Sequence, residues 1–186
     1  MAADWTVDGV DYTALKSLKG NGDGKGYLVT DIVPNCTDIV MMKFKPATVS
    51  SSYPGAYFCA RNASSSGMFT CYRPSNKIRL DRSASNTTST GTISTSYEYL
   101  LTADYGRRTA TIIQDGSSSD LFGQMLGGDA SYTVGSPLAF FALHKDLDQD
   151  TFSAFERGYI YYFELYDSNT NLTHCLLPAQ RNTDGV

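Results

Sequence analysis

Apolar and polar side chains alternate along most of this chain in runs of about five to ten residues, each closed by a cluster of Gly, Asn, Asp, Ser or Pro. The runs are "YLVTDIV" (27–33), "IVMMKFKP" (39–46), "GAYFCAR" (55–61), "GMFTCYR" (67–73), "KIRLDRS" (77–83), "YEYLLTADY" (97–105), "RTATIIQDG" (108–116), "LAFFALHK" (138–145) and "GYIYYFELYD" (158–167). Between them stand "SSSYPG", "NASSSG", "SASNTTSTG", "DGSSSD" and "DSNTN", all turn chemistry. No ten-residue segment keeps a 3.6-residue period. The one helical turn the pattern admits lies near "DTFSAFE" (150–156), short enough to be 3₁₀.

About ten strands at this spacing in one domain leave two architectures, a two-sheet sandwich or a closed barrel. Alternation favours the sandwich. In the last long run, strict two-residue periodicity puts Tyr159, Tyr161, Phe163 and Leu165 on one uncharged face, which should be the core. Ile160, Tyr162, Glu164 and Tyr166 then share the other, partly wet face.

Length and composition agree with a single all-β domain. The 186 residues are 41% hydrophobic and 18% charged, and a chain of this size buries roughly 70% of its unfolded surface, enough for a core without staples. Fifteen basic against nineteen acidic residues give a net charge of -4, with no basic stripe, so nucleic acid is excluded as a partner. No apolar run is long enough to insert in a membrane, and "MAADWTVDGV" has neither the basic nor the apolar region of a signal peptide. "NGDGKG" (21–26) precedes a strand rather than a helix, so it is a turn and not a phosphate cradle. Cys36, Cys59, Cys71 and Cys175 form no metal-binding spacing. A hairpin centred on Ser65 would set Cys59 opposite Cys71; buried free thiols are favoured there over a strained cross-strand disulfide.

The closing stretch "GYIYYFELYDSNTNLTHCLLPAQRNTDGV" resembles the last strands of the concanavalin A-like, laminin-G-like jelly rolls found in gut-bacterial surface proteins and phage structural proteins. "YTALKSLKGNGDGKGYLVTDIVP", "IVMMKFKP", "YFCARN" and "LAFFALHKD" are similar, in order, to that family's earlier strands. The resemblance covers residues 10–186, leaving 1–9 as a leading segment in which Trp5 anchors the terminus or a neighbouring chain. It implies a jelly-roll sandwich of two antiparallel sheets, associated with glycan binding or adhesion at a cell surface or on a virion. It carries no shared sugar-binding residues. The family's tail normally runs past the Gly-Val at 185–186, a departure that leaves open whether the chain is a piece of a longer polypeptide.

Catalysis finds no assembled motif. The glucanases of this fold class place three carboxylates on one strand, with two about 5 to 5.5 Å apart, whereas the only glutamates here are the scattered Glu98, Glu156 and Glu164. Glu98 and Glu164 read as separate, solvated or hydrogen-bonded strand residues, and neither His144 nor His174 accompanies a nucleophile motif. Asp146, Asp148 and Asp150 repeat at the spacing of the first ligands of a calcium loop, but Thr151 and Arg157 stand where that loop needs Gly and Glu. A looser Ca2+ site stays open beside a plain solvated loop.

Sugar recognition needs aromatic faces for the apolar side of the ring and planar polar groups for its hydroxyls. The candidates are Tyr97 and Tyr99, Tyr162 and Tyr166, Arg61 and Asn62, and Arg79 and Asp81, each weighed against ordinary sheet packing. The expected function is a non-catalytic carbohydrate-binding or adhesion module whose partner is a glycan or host-surface component. The alternative is a fibre or decoration domain that contacts neighbouring chains. Asn35, Asn62, Asn86 and Asn171 lie in Asn-x-Ser/Thr triplets, which are incidental in a bacterial or phage protein.

Overall fold

The computed structural model describes residues 5–7, 10–15, 17–21, 27–47, 55–61, 66–146, 151–153 and 156–181. Runs rich in β-branched and aromatic residues become strands: β1 (Trp5–Val7), β2 (Val10–Ala14), β3 (Leu18–Asn21), β4 (Leu28–Val29), β5 (Ile39–Pro46), β6 (Gly55–Arg61), β7 (Met68–Arg73), β8 (Arg79–Ser83), β9 (Ser85–Thr88), β10 (Tyr99–Asp104), β11 (Thr109–Gln114), β12 (Ala139–Phe140), β13 (Leu143–Asp146), β14 (Thr151–Ser153), β15 (Arg157–Tyr166), β16 (Leu172–Leu176) and β17 (Ala179–Arg181). No helix occurs among the described residues. The front sheet runs β11-β10-β5-β15-β16, with β3 pairing the start of β15, and the back sheet runs β4-β12-β6-β7-β8-β9. All pairings are antiparallel. Two small sheets, β1-β2-β17 and β13-β14, complete the set.

The core lies between the two large sheets. Val40, Met42 and Phe44 of β5, Tyr99 and Leu101 of β10, and Ile160, Phe163 and Leu165 of β15 face inward. They meet Phe58 and Ala60 of β6, Phe69 and Cys71 of β7 and Leu80 of β8. Aromatic edges and faces lock the layers: Phe163 sits edge-on to both Phe58 (5.4 Å) and Phe140 (4.9 Å), and Phe69 stacks on Tyr105 at 3.9 Å.

Strict alternation fails at β15. The register steps between Ile160, opposite Phe44, and Tyr162, opposite Lys43, so Tyr161 is an extra, bulged residue. Ahead of the bulge the buried parity is therefore even, and after it odd. Ile160, expected outside, is 4% exposed in the core, while Tyr159 and Tyr161, expected in the core, stand half-buried on the outer face. Phe163 and Leu165 are core residues as expected.

The same effect revises the cysteines. In the β6–β7 hairpin Cys59 opposes Thr70, and a bulge at Tyr57 puts Phe58 opposite Cys71, so the two thiols point to opposite faces of the back sheet. All four cysteines are free.

Three further expectations change. "SASNTTSTG", read as a loop, contains β9, an edge strand closed onto β8 by a two-residue turn with Ser83 at φ 56. A tight hairpin turn that lacks Gly or Asn-Gly carries little sequence signal. "LAFFALHK" splits into β12 and β13 at Phe141 (φ 62), whose N–H donates to Tyr57 O and whose carbonyl accepts from Glu156 N–H. In place of a helical turn, 151–153 forms β14, paired with β13, because tertiary pairing overrides a weak local pattern. "NGDGKG" falls almost wholly outside the described residues.

A buried ion pair joins the sheets. Arg73 ends β7 and Glu156 precedes β15; both side chains are fully buried, and Arg73 Nε donates to the two carboxylate oxygens at 3.0 and 2.9 Å. Arg73 Nη1 also donates to Ser75 O at 2.7 Å. Gly55 is required beside them, since a Cβ there would lie 2.5 Å from both Glu156 Cα and Oε2. Burial pushes the Glu156 carboxyl up to about 7, with Arg73 opposing.

Two outcomes are expected. A carboxyl whose pKa is higher folded (about 7) than at its ordinary 4.5 holds more protons in the native state, so unfolding free energy should fall as pH rises from 4.5 to 7. Urea denaturation should show that slope in the native protein and lose it in Glu156→Gln, whereas Glu156→Ala, which strands Arg73, should cost about 3 to 5 kcal/mol. A thiol reagent should modify Cys175 at once, and reach Cys59 and Cys71 only on unfolding.

Candidate functional site

The outer face of the front sheet is built by three neighbouring strands and the bulge. Strand register lines up Tyr162, Lys43, Leu100 and Ile113 in one row, and Glu164, Met41, Thr102 and Thr111 in the next. At the start of β15, Tyr159 lies between Lys19 of β3 and Lys45 of β5. The bulge therefore brings Tyr159, Tyr161, Tyr162 and Tyr166 to one surface, where regular alternation would have divided them between two.

Polar groups tie these rings down. Lys43 Nζ lies 2.7 Å from Glu98 Oε2 and 5.7 Å from the centre of the Tyr161 ring. Glu98 also accepts a hydrogen bond from the Tyr161 hydroxyl, so desolvation first, and then this carboxylate, push the phenol up to about 12. Its bond to Glu98 raises the Lys43 ammonium. Tyr166 donates to Glu164 Oε2 at 2.8 Å, which raises that phenol too. Burial, with the Glu164 charge, raises Tyr162.

Two recesses open on this face. One, of about 300 Å³, is lined by Lys43, Gln114, Asp115, Ser117 and Tyr162 among others. The second, of about 420 Å³, is lined by Lys45, Pro46, Ala47, Thr95, Tyr159 and Tyr161.

The sequence candidates do not converge on one place. Tyr162 and Tyr166 belong to this face. Tyr99 faces the core at 1% exposure, its hydroxyl accepting from Ser94 N–H at 2.7 Å. Tyr97 stands exposed just before β10. Arg61, Arg79 and Asp81 sit on the back sheet instead. There Asp81 is buried, accepts from Thr70 Oγ1 at 2.9 Å and lies 2.8 Å from Arg79 Nε, while the Arg79 guanidinium covers the Tyr72 ring. Burial raises the Asp81 carboxyl, Arg79 opposing first. That group is knit to itself. Asn62, Asp148 and Asp150 lie outside the described residues, and of Asp146 only the backbone, ending β13, is described. Among the described residues no three His, Cys, Asp or Glu side chains gather as metal ligands would.

The residues that sequence reasoning missed are Lys43, Lys45, Tyr159 and Tyr161. The adjacent Tyr161-Tyr162 pair, an interruption in an otherwise alternating run, was the available signal for a bulge. Glu98 and Glu164 share this face without forming a hydrolytic pair. Glu98 precedes Tyr99, which opposes Phe44, while Glu164 opposes Met41. Backbone positions so offset are about 13 Å apart along the strands, and each carboxylate has its own partner.

No protein-family model and no curated protein matches the chain. Solved structures do. A heptameric SAP-like pentraxin from Limulus polyphemus superposes with a TM-score of 0.56 at 13% identity, covering 87% of this chain and 78% of that one. Domains LG4-5 of the mouse laminin alpha1 chain give 0.55 at 14% identity, covering 97% of this chain and 49% of that one. At such identities the likeness is of fold, a concanavalin A-like jelly roll of two antiparallel sheets.

Replacing Glu98 by Gln should lower the Tyr161 pKa from about 12 towards the ordinary 10, because the phenolate would no longer form beside a carboxylate. Carbon-detected NMR titration of labelled tyrosine ring carbons reads this directly. An unchanged value would mean that burial alone sets it.

Proposed function

We propose that this chain is a non-catalytic carbohydrate-binding or adhesion module of a surface or virion protein, with its ligand lying across the outer face of the front sheet. The single observation carrying this reading is the bulge at Tyr161, which gathers four tyrosines beside Lys43, Lys45, Glu98 and Glu164 around two shallow recesses. Half-buried tyrosines supply flat apolar faces for the C–H side of a sugar ring, and the hydroxyls of Tyr161 and Tyr166, held by Glu98 and Glu164, with the charged neighbours read its hydroxyls. The strands hold these groups rigidly before any ligand arrives, which lowers the ordering cost of binding. The solved structures of the same fold include a pentraxin described as SAP-like and a laminin domain pair, consistent with a binding module.

A second reading, a structural domain docking onto neighbouring chains, draws on a different feature. Leu28 and Val29 of β4, at the edge of the back sheet, are 43% and 46% exposed, and Leu177 is 60% exposed. These line or adjoin a small apolar recess shared with Leu18, Phe140 and Ile160.

A glycan array followed by calorimetry separates the two. Binding should weaken about tenfold, roughly 1.4 kcal/mol, in Tyr162→Ala and in Tyr159→Ala, with melting temperatures close to native. Met125→Ala, at an exposed residue outside this face, should bind as the native protein does. Silence across the array at millimolar sugar would transfer the case to the assembly reading.

A further inference from the structure

The two recesses of the tyrosine face differ in charge. Lys43 is neutralised by Glu98, and this pair, with Tyr161, forms the divide between them: Lys43 lines the smaller recess and Tyr161 the larger. On the larger side, Lys19 and Lys45 flank Tyr159 on both neighbouring strands, and Lys19 Nζ lies 5.6 Å from the centre of its ring. Among the described residues neither lysine has a carboxylate within ion-pair distance, although the chain as a whole carries a net charge of -4. The smaller side instead presents Asp115, exposed beside Gln114, Ser117 and Tyr162.

Building on the reading of this face as a sugar platform, we infer that its ligand is an acidic oligosaccharide bound in one direction, with a carboxylated or sulfated unit over Tyr159 and a neutral unit over Tyr162. Strand spacing of about 4.8 Å puts a lysine on each side of the Tyr159 ring, so an anionic group on a sugar stacked there is within reach of an ammonium whichever edge it leaves from. The reverse placement sets the anion beside Asp115, where like charges repel. Two ammonium groups without an ion-pair partner among the described residues, on a chain of net charge -4, also concentrate the local field on the larger recess, which favours encounter with anionic chains.

The test is calorimetry of the native protein against matched tetrasaccharides: hyaluronan for carboxylate alone, chondroitin sulfate for carboxylate with sulfate, and cellotetraose and chitotetraose as neutral controls. The acidic pair should bind at least about tenfold more tightly at low salt and lose most of that margin on going to about 0.2 M salt, where screening is short-ranged. The double variant Lys19→Gln/Lys45→Gln should lose the acidic preference and bind acidic and neutral sugars with similar affinity. Hyaluronan binding equal to chondroitin sulfate would assign recognition to the carboxylate; a strong bias to the latter assigns it to sulfate. Neutral sugars binding as well as acidic ones, or a preference that survives in the double variant, would overturn the inference while leaving a sugar-binding face intact. No binding by any of the four at millimolar concentration would remove the sugar platform itself, and this inference with it.

Discussion

The ion pair of Arg73 and Glu156 is the constraint around which the sandwich closes. Two unit charges with no solvent exposure are tolerated only when they satisfy each other, and here one guanidinium nitrogen addresses both carboxylate oxygens. The consequences spread through the neighbouring backbone. Gly55 has room for no side chain because Glu156 fills the space, and at Gly20 a Cβ would lie within 2.5 Å of the Phe141 ring. Phe141 itself adopts a left-handed conformation whose two backbone hydrogen bonds reach Tyr57 and Glu156. A charge pair thus ties the end of β7 in the back sheet to the residue preceding β15 in the front sheet.

From that starting point β15 runs through the middle of the front sheet, paired with β5 along nearly its whole length and with β3 and β16 on its other side. A central strand cannot lose its register without turning its apolar set to water. The bulge at Tyr161 works within that limit. It keeps Ile160 and Phe163 in the core, both nearly solvent-free, and places an extra tyrosine outside, where Glu98 and Lys43 hold it. Packing inside the sandwich and chemistry on its surface are therefore joined at a single residue.

The surface that results is organised electrostatically as well as by shape. On it Glu98 is matched to Lys43 and Tyr161, and Glu164 to Tyr166, while Asp115 lies exposed at the smaller recess. On the back sheet, Asp81 accepts from Thr70 and pairs with Arg79. The recesses and the lysines flanking Tyr159 distinguish the front face from the back face of an otherwise layered molecule.

Local pattern determined the class of structure: alternation in "IVMMKFKP" marks the half-buried β5 to the residue, and the apolar run "GAYFCAR" marks β6, a strand buried on both faces, because a turn must interrupt each with residues that tolerate unusual backbone angles. What alternation could not reveal is where it breaks. The bulges at Tyr57 and Tyr161, the left-handed Phe141, the polar edge strand β9 and the burial of Glu156 each depend on contacts with residues far away in the chain, and such contacts exist only once the sheets have paired. For that reason Tyr162 and Tyr166 could be named from the sequence as surface residues, while Tyr159, Tyr161, Lys43 and Lys45 joined them only through the tertiary register.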